Sequence, residues 1–134
     1  MRIDELQEGM TLNNNELMDT FLCSPQGGMR RSKRTNSLVL ISDQTKLYND
    51  RWQGDVLHYT GMGQTGDQDF SYIQNRTLYE SDANGVQIHL FEVFHPQEYT
   101  YYGRVKLAAA PYTETQSDVD GQKRQVCMFP LKKA

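Results

Sequence analysis

The stretch YNDRWQGDVLHYTGMG, residues 48–63, gathers aromatic rings and carboxylates just before a Gly-x-Gly turn. The rings are those of Tyr48, Trp52 and Tyr59, and the carboxylates are those of Asp50 and Asp55. Aromatic rings stack on flat ligands, carboxylates accept hydrogen bonds from amino groups, and glycine lets the backbone approach a ligand closely. The stretch therefore predicts a binding site for a flat, polar ligand.

The residue types that bind metals are too scattered along the chain to predict a metal site. Cys23 and Cys127 lie far apart and without C-x-x-C spacing, so we expect two buried thiols. His89 and His95 share no ligand spacing with His58 or with the cysteines. We therefore expect neither a metal nor another cofactor.

Strands dominate the pattern around the stretch 48–63. Runs rich in branched and aromatic residues, bounded by polar turns, are typical of strands. They are SLVLISD (37–43), GVQIHLFEVF (85–94), EYTYYGRVKLA (98–108) and RQVCMFPL (124–131). On an alternating strand, His58 is expected to face away from the side that Tyr59 presents.

Helical spacing is confined to two places. Phe70, Ile73, Thr77 and Leu78 recur at helical intervals within 67–81, and the first twenty residues have room for a short second helix. Several short strands with one or two helices predict an α+β domain built on a small curved or barrel-like β-sheet.

Length and composition predict one globular domain. The chain has 134 residues, of which 37% are hydrophobic and 23% charged, and this is enough for a core of its own. We expect residues 1–134 to form a single domain, with 1–19 as an N-terminal extension or short helix. No run approaches the roughly 18 apolar residues of a membrane span, and the start lacks the layout of a signal peptide. We therefore expect a cytoplasmic protein without a membrane segment.

Charge is unevenly distributed. The net charge of -3 argues mildly against nucleic-acid binding, because such domains usually carry a basic surplus. GGMRRSKRTN (27–36) nevertheless places Arg30, Arg31, Lys33 and Arg34 close together beside two glycines. From charge alone, a solvated turn is the favoured interpretation of this basic loop.

Short motifs follow one another in a fixed order through the middle of the chain. They are GGMRRS (27–32), SLVL (37–40), YND (48–50), Gly54 ahead of YTGMG (59–63), and QNRTL (74–78). Together they resemble the SRA (SET- and RING-associated) family, and most closely the SRA-like modules of bacterial modification-dependent HNH restriction endonucleases. The resemblance implies a PUA-like sheet. It also implies binding of duplex DNA that contains 5-methylcytosine or 5-hydroxymethylcytosine, with the modified base flipped out of the helix.

The resemblance assigns a role to each part of the base pocket. Tyr48 and Tyr59 are the expected walls, and Asp50 is the expected reader of the base edge. Cytosine offers an amino donor where thymine offers a carbonyl, so a carboxylate, which only accepts, separates the two. Backbone N–H groups of the turn from Thr60 and Gly61 onward are the expected opposing donors.

Several of these side chains also have a structural interpretation. Either tyrosine could be a core residue anchored through its hydroxyl. Trp52 is a lid over the pocket or a hydrophobic plug, and the plug is favoured. Asp55 is the rival carboxylate, although a surface turn explains it as well. Asn75 either ties the predicted helix to the pocket or contacts the ligand.

The resemblance to the SRA family also implies a function for the basic loop. Flipping leaves a gap in the duplex that an apolar side chain can fill, and GGMRRS lies where the family has a loop that penetrates the DNA. Met29 is the expected wedge, and Arg30 and Arg31 are expected to reach the orphan guanine or the backbone. The predicted phosphate contacts are Lys33, Arg34 and Arg76.

No catalytic motif accompanies these residues. The sequence lacks a zinc-deaminase pattern, a phosphate-binding loop and a His–Asn–His nuclease cluster, and it ends at FPLKKA, where the family's nuclease usually follows. We predict a reader that does not cut DNA, either alone or with a fused or partner HNH nuclease. An RNA-binding small barrel and a nucleotide-processing enzyme that uses Asp50 or Asp55 as a base are the alternatives.

Overall fold

The computed structural model of the protein describes residues 1–45 and 50–134. In these ranges the strands are β1 (Thr11–Leu12), β2 (Met29–Ser32), β3 (Ser37–Asp43), β4 (Arg51–Gln53), β5 (Val56–Thr60), β6 (Gln87–His95), β7 (Glu98–Leu107), β8 (Tyr112–Ser117) and β9 (Lys123–Lys133). The helices are α1 (Asn14–Phe21), α2 (Ile73–Tyr79) and α3 (Ser81–Asn84), after a short 3-10 turn at Ile3–Glu5. Within the same ranges, no helix has both the length and the apolar character needed to cross a membrane.

The strands form one curved sheet whose two edges meet at one end. The strand order is β2-β3-β6-β7-β9-β5-β4, so β2 and β4 are the edges, while β1 pairs with β7 and β8 pairs with β9. Across the gap, the Tyr59 hydroxyl on β5 donates to the Gly28 carbonyl ahead of β2, at 2.8 Å. The Ser42 hydroxyl on β3 donates to Asp50, just ahead of β4, at 2.9 Å. Side-chain hydrogen bonds therefore join the edges where strand pairing does not.

Both faces of the sheet are covered. On β3, Leu38 and Leu40 belong to one apolar cluster, which includes Leu78 of α2. Val39 and Ile41 point to the opposite face and join a second cluster, which includes Leu17 and Phe21 of α1. A strand that is buried on both faces is expected to be apolar at successive positions rather than at alternate ones. This explains the unbroken run at the start of SLVLISD.

The predicted α+β fold with a small curved sheet is confirmed. The strand predicted at 37–43 coincides with β3, and the other predicted strands correspond to β6, β7 and β9. The short helix expected near the N-terminus is α1. A capping box starts it, in which Asn13 accepts from the Glu16 N–H at 2.8 Å and Glu16 accepts from the Asn13 N–H at 2.9 Å.

The helix predicted within 67–81 is shorter than its apolar spacing indicates. The Asp69 carboxylate accepts from the N–H of Ser71 at 2.8 Å, which holds the chain in a turn before the helix. Phe70 packs from this turn against Phe129, and α2 begins only at Ile73, whose side chain is 55% exposed. The spacing of Phe70 and Ile73 is therefore not the periodicity of a buried helix face.

Candidate functional site

A cavity of about 560 Å³ opens where the two edges of the sheet meet. Its walls come from residues 26–30, the end of β3, Asp50, residues 59–64, and the tyrosines Tyr72 and Tyr99. These segments are distant in sequence and are assembled by the curvature of the sheet. Of the stretch that the sequence singled out, Asp50 and residues 59–63 therefore line the cavity.

Asp50 is half-buried in the cavity wall and held by two hydrogen bonds. One carboxylate oxygen accepts from the Thr60 N–H at 2.7 Å, and the other accepts from the Ser42 hydroxyl at 2.9 Å. Burial raises the pKa of Asp50 from 3.8 to about 6, although both hydrogen bonds oppose this rise, and the negative charge of Asp43 adds to it. A carboxylate offers about four acceptor sites, so Asp50 can still accept hydrogen bonds from a ligand.

Tyr59 lines the cavity and is also part of the core. Its side chain is 2% exposed, and its hydroxyl lies 2.8 Å from the Gly28 carbonyl and 3.3 Å from that of Ile41. The ring is therefore anchored through its hydroxyl while it remains in the cavity wall, which satisfies both interpretations of the sequence. Tyr48, the other predicted wall, lies outside the described residues.

The turn after Tyr59 lines the cavity but uses its N–H groups internally. Thr60 donates to Asp50 at 2.7 Å, and Gly61 donates to a carbonyl of β9 at 2.8 Å. Met62 donates to the side chain of Asn75 at 2.8 Å. The prediction that the N–H groups of Thr60 and Gly61 serve as donors to a ligand is therefore wrong, because both already have partners in the protein.

Asn75 fixes this turn from behind. It is fully buried, and besides accepting from Met62 it donates to the carbonyls of Met62 at 3.0 Å and Asp69 at 3.1 Å. A Cβ at Gly61 would lie 2.7 Å from the Asn75 amide oxygen, so glycine is required there by space. Asn75 is not among the cavity-lining residues, and its structural interpretation is the one that the geometry supports.

Sequence reasoning missed three residues that shape the site. Ser42 holds Asp50, and its only signal is a hydroxyl at the end of an apolar strand. Gln68 donates to the carbonyls of Gly61 at 2.8 Å and Gly63 at 3.0 Å. The buried Arg124 also donates to Gly63, at 2.6 Å. Nothing in the sequence indicates that Gln68 and Arg124 meet at the same loop.

The start of the basic loop lies at the cavity, but its side chains are buried. Met29 lines the cavity, but it is 5% exposed and packs in the same cluster as Tyr59, so insertion into DNA as the predicted wedge would require it to leave the core. Arg30 is 4% exposed, donates to Gly27 at 2.8 Å and to Asn14 at 2.7 Å, and lies over the Tyr99 ring. Arg30 therefore braces the cavity wall, and the predicted reach to an orphan guanine does not fit its position.

The other predicted DNA contacts lie away from the cavity. Arg31 donates to the carbonyls of Ser32 at 2.6 Å and Ser37 at 3.0 Å, which ties it to the turn between β2 and β3 and contradicts its predicted insertion. Lys33 and Arg34 are exposed in that same turn, at the opposite end of β2 from the cavity. Arg76 is exposed on α2 and pairs with Glu80 at 3.4 Å. None of these four predicted cations lines the cavity.

Trp52 acts as the plug that the sequence favoured. Its ring packs against Tyr102 with centroids 5.0 Å apart, and its indole N–H donates to Glu92 at 3.1 Å. It is absent from the described lining of the cavity, so the geometry does not support its predicted place in the pocket. Asp55 is exposed in the turn between β4 and β5, and His58 makes a 2.7 Å hydrogen bond with Tyr112.

The fold recurs in solved structures of proteins with SRA domains. The sulfur-binding and SRA domains of ScoMcrA, complexed with phosphorothioated DNA, are 17% identical with a TM-score of 0.78, over 96% of this chain and 40% of that chain. The SUVH5 SRA–fully methylated CG DNA complex is 22% identical with a TM-score of 0.74, over 98% of this chain and 91% of that chain. The modification-dependent restriction endonuclease TagI is 23% identical with a TM-score of 0.73, over 98% of this chain and 51% of that chain.

The fold is thus that of SRA domains, a class of DNA-binding reader modules that are not themselves catalytic. The chain belongs to the family of ScoMcrA-like SRA domains, whose model matches residues 8–134. The resemblance inferred from the motifs is confirmed. No curated protein matches the chain. The chain spans 40% of the ScoMcrA chain and 51% of the TagI chain that it matches.

Proposed function

We propose that this domain binds duplex DNA containing 5-methylcytosine or 5-hydroxymethylcytosine and holds the modified base, flipped out of the helix, in the cavity. The observation that carries the proposal is the Asp50 carboxylate, fixed in the cavity wall by Thr60 and Ser42 at 2.7 and 2.9 Å. Membership of the SRA family supports DNA as the ligand.

Asp50 reads the amino edge of the base in this proposal. At neutral pH the carboxylate is mostly ionised, because its pKa is about 6, and it accepts from the cytosine amino group. Thymine presents a carbonyl at the same position, which the carboxylate repels. Tyr59, which lines the cavity although its side chain is 2% exposed, is the proposed wall on one side, and Tyr48 is the proposed opposite wall.

We assign to Tyr72 and Ile73, instead of Met29, the role of filling the gap that the flipped base leaves in the duplex. Their side chains are 48% and 55% exposed, and Tyr72 lines the cavity. Ile73 has a φ of 39°, which is rare for a branched residue. Asn75 restrains this segment by donating its N–H to the Tyr72 carbonyl at 2.9 Å. Such strain persists where the surroundings impose it and is concentrated at functional sites.

Alanine variants test the wedge. Tyr72→Ala and Ile73→Ala are expected to weaken binding of a modified duplex about tenfold, within the few kcal/mol that flipping costs. The loss should be smaller when the modified base is already mispaired, since less unpairing is then needed. Tyr79→Ala is the matched control for Tyr72→Ala, because Tyr79, the last residue of α2, is equally exposed at 48% but does not line the cavity. An equal loss in the control, or on the mispaired duplex, contradicts the assignment.

Within a larger system, the domain supplies specificity and a nuclease supplies cleavage. We place the nuclease, of HNH type, in a fused domain or a partner protein, and we place the protein in the cytoplasm. ScoMcrA and TagI are described as restriction endonucleases, which supports a restriction system as the setting.

A binding panel tests the proposed function. Modified duplex, unmodified duplex of the same sequence, structured RNA and free nucleotides are titrated at physiological salt. Burying one extra methyl is worth about 0.8 kcal/mol, so we expect at least about fourfold preference for the modified duplex. Equal affinity for the two duplexes would refute the proposal. Tighter binding of RNA would indicate an RNA-binding module, and turnover of nucleotides that is abolished by Asp50→Asn would indicate an enzyme.

A further inference from the structure

Exposed cations that the cavity does not use gather at the opposite end of the sheet. This basic end consists of Lys33, Arg34, Arg104, Lys106 and Lys132, all of them exposed. Its distance from the cavity follows from β3, which starts at Ser37 beside the basic turn and ends at Asp43 in the cavity wall. At about 3.3 Å per residue, the two ends of β3 are roughly 20 Å apart.

Strand register places these cations in one row across neighbouring strands. Lys106 of β7 lies directly opposite Lys132 of β9, and Arg104 follows on the same face two residues away. The turn with Lys33 and Arg34 adjoins β6, because the Gln87 N–H donates to the Asn36 carbonyl at 3.0 Å. With about 4.8 Å between strands, the row from β3 to β9 spans about 14 Å. This is close to the roughly 12 Å width of a major groove.

Asp4 and Asp19 line the same groove as Arg104, but in the described part of the chain they form no ion pair with the cations of the basic end. Among the described residues, none of the five cations takes part in an ion pair. The neighbouring Lys133 pairs with Glu8. Like charges directly opposite each other on adjacent strands are destabilising, so the pair Lys106 and Lys132 costs stability unless an anion binds there.

A nucleic-acid backbone fits this surface better than a protein does. Protein interfaces depend on aromatic and apolar anchors and are depleted of lysine. In the described chain, β7 and β9 expose no large hydrophobic side chain. Met1 and Leu22 are exposed in the groove that Arg104 lines, but among the described residues the cations of β7, β9 and the basic turn have no such anchors on their own segments. A row of unpaired cations of this kind suits phosphates, which are bound by charge and release counterions.

We propose that the basic end binds the phosphate backbone of a second duplex segment, whatever its base modification. The cavity and the basic end lie at opposite ends of β3, so a straight duplex that lies across the mouth of the cavity does not also lie along the basic end. The domain would therefore hold one DNA segment by a base and another by its backbone. This gives a function to the exposed part of the basic loop, which the cavity leaves unused.

The test is a two-duplex titration. The full chain is saturated with a donor-labelled duplex carrying 5-methylcytosine, and an acceptor-labelled unmodified duplex is then added while energy transfer is measured. We expect a second binding event that weakens steeply with salt, with a slope of up to about -4.5 if five phosphates are neutralised. Lys132→Glu should weaken this event at least tenfold and leave the affinity for the first duplex unchanged. Its melting temperature should not fall, because the repulsion from Lys106 is removed.

Lys123→Glu is the matched control, because it makes the same charge change at the start of the same strand, β9. Equal weakening by both variants would show an effect of net charge only and would overturn the proposal. Saturation at one duplex per domain would also overturn it. Competition gives a further test, in which polyglutamate and unlabelled duplex of equal charge are compared as competitors for the second site. If polyglutamate displaces the second duplex as effectively as the unlabelled duplex does, the surface binds an acidic protein and the proposal is overturned. If two binding events occur but the first shows no preference for the modified duplex, the proposed function is wrong and the proposal for the basic end is still supported.

Discussion

Replacing Asp50 by asparagine is expected to separate binding specificity from stability. The side chain keeps its shape, and its amide oxygen can still accept from the Thr60 N–H, which lies 2.7 Å from the carboxylate. The substitution removes the negative charge and gives the base edge a group that can either donate or accept. Discrimination between 5-methylcytosine and thymine should therefore fall by about 1–3 kcal/mol, the range for a charge-assisted hydrogen bond.

Stability should change in the opposite direction at neutral pH. The pKa of Asp50 rises from 3.8 to about 6 in the folded protein because of burial, so the folded state binds more protons than the unfolded state between these values. The free energy of unfolding of the wild type therefore falls as the pH rises through this window. The difference corresponds to about 3 kcal/mol, as an upper limit. Asp50→Asn removes this loss and should gain stability relative to the wild type from pH 4 to pH 7.

Urea denaturation from pH 4 to pH 7.5 and DNA titration at pH 7.5, on the same samples, test both parts. Asp55→Asn is the control, because this exposed turn carboxylate lies in the same stretch of sequence. Parallel stability curves for the wild type and Asp50→Asn would refute the effect of burial. An unchanged ratio of affinities for 5-methylcytosine and thymine would remove Asp50 from the reading of the base.

Three further substitutions test the frame of the site. Asn75→Ala leaves the Met62 N–H, now bonded at 2.8 Å, without its partner, and should lower the free energy of unfolding by about 3 kcal/mol in urea denaturation. Gly61→Ala places a Cβ 2.7 Å from the Asn75 amide oxygen, so it should lower the free energy of unfolding by about 1–3 kcal/mol and weaken binding of modified DNA. Unchanged stability would show that Asn75 has room to move. Trp52→Phe removes a 3.1 Å hydrogen bond to Glu92 and should lower the free energy of unfolding by about 1 kcal/mol. The ratio of affinities for modified and unmodified DNA should not change, and a changed ratio would indicate that Trp52 contacts the base.

Local features of the sequence were sufficient for the elements and for part of the site. The unbroken apolar run LVLI (38–41) within 37–43 predicts β3, because a strand covered on both faces is apolar at successive positions. Asp50 and Tyr59 were identified as cavity residues because they belong to two neighbouring motifs, YND (48–50) and YTGMG (59–63), whose order and spacing resemble the family. The motifs carry this information because β4 and β5 are adjacent in the sheet and joined by a short turn.

Tertiary structure alone decided which polar groups meet. Ser42 reaches Asp50 only because the sheet curves until its edges touch, and the contact depends on pairing between strands far apart in sequence. The same pairing explains the errors in the basic loop. Strand β2 buries Met29 at its cavity end and carries Lys33 and Arg34 to the far end, about 13 Å away at 3.3 Å per residue. The spacing of residues along the chain does not show which end of a strand lies at the cavity, because long-range contacts between strands determine this.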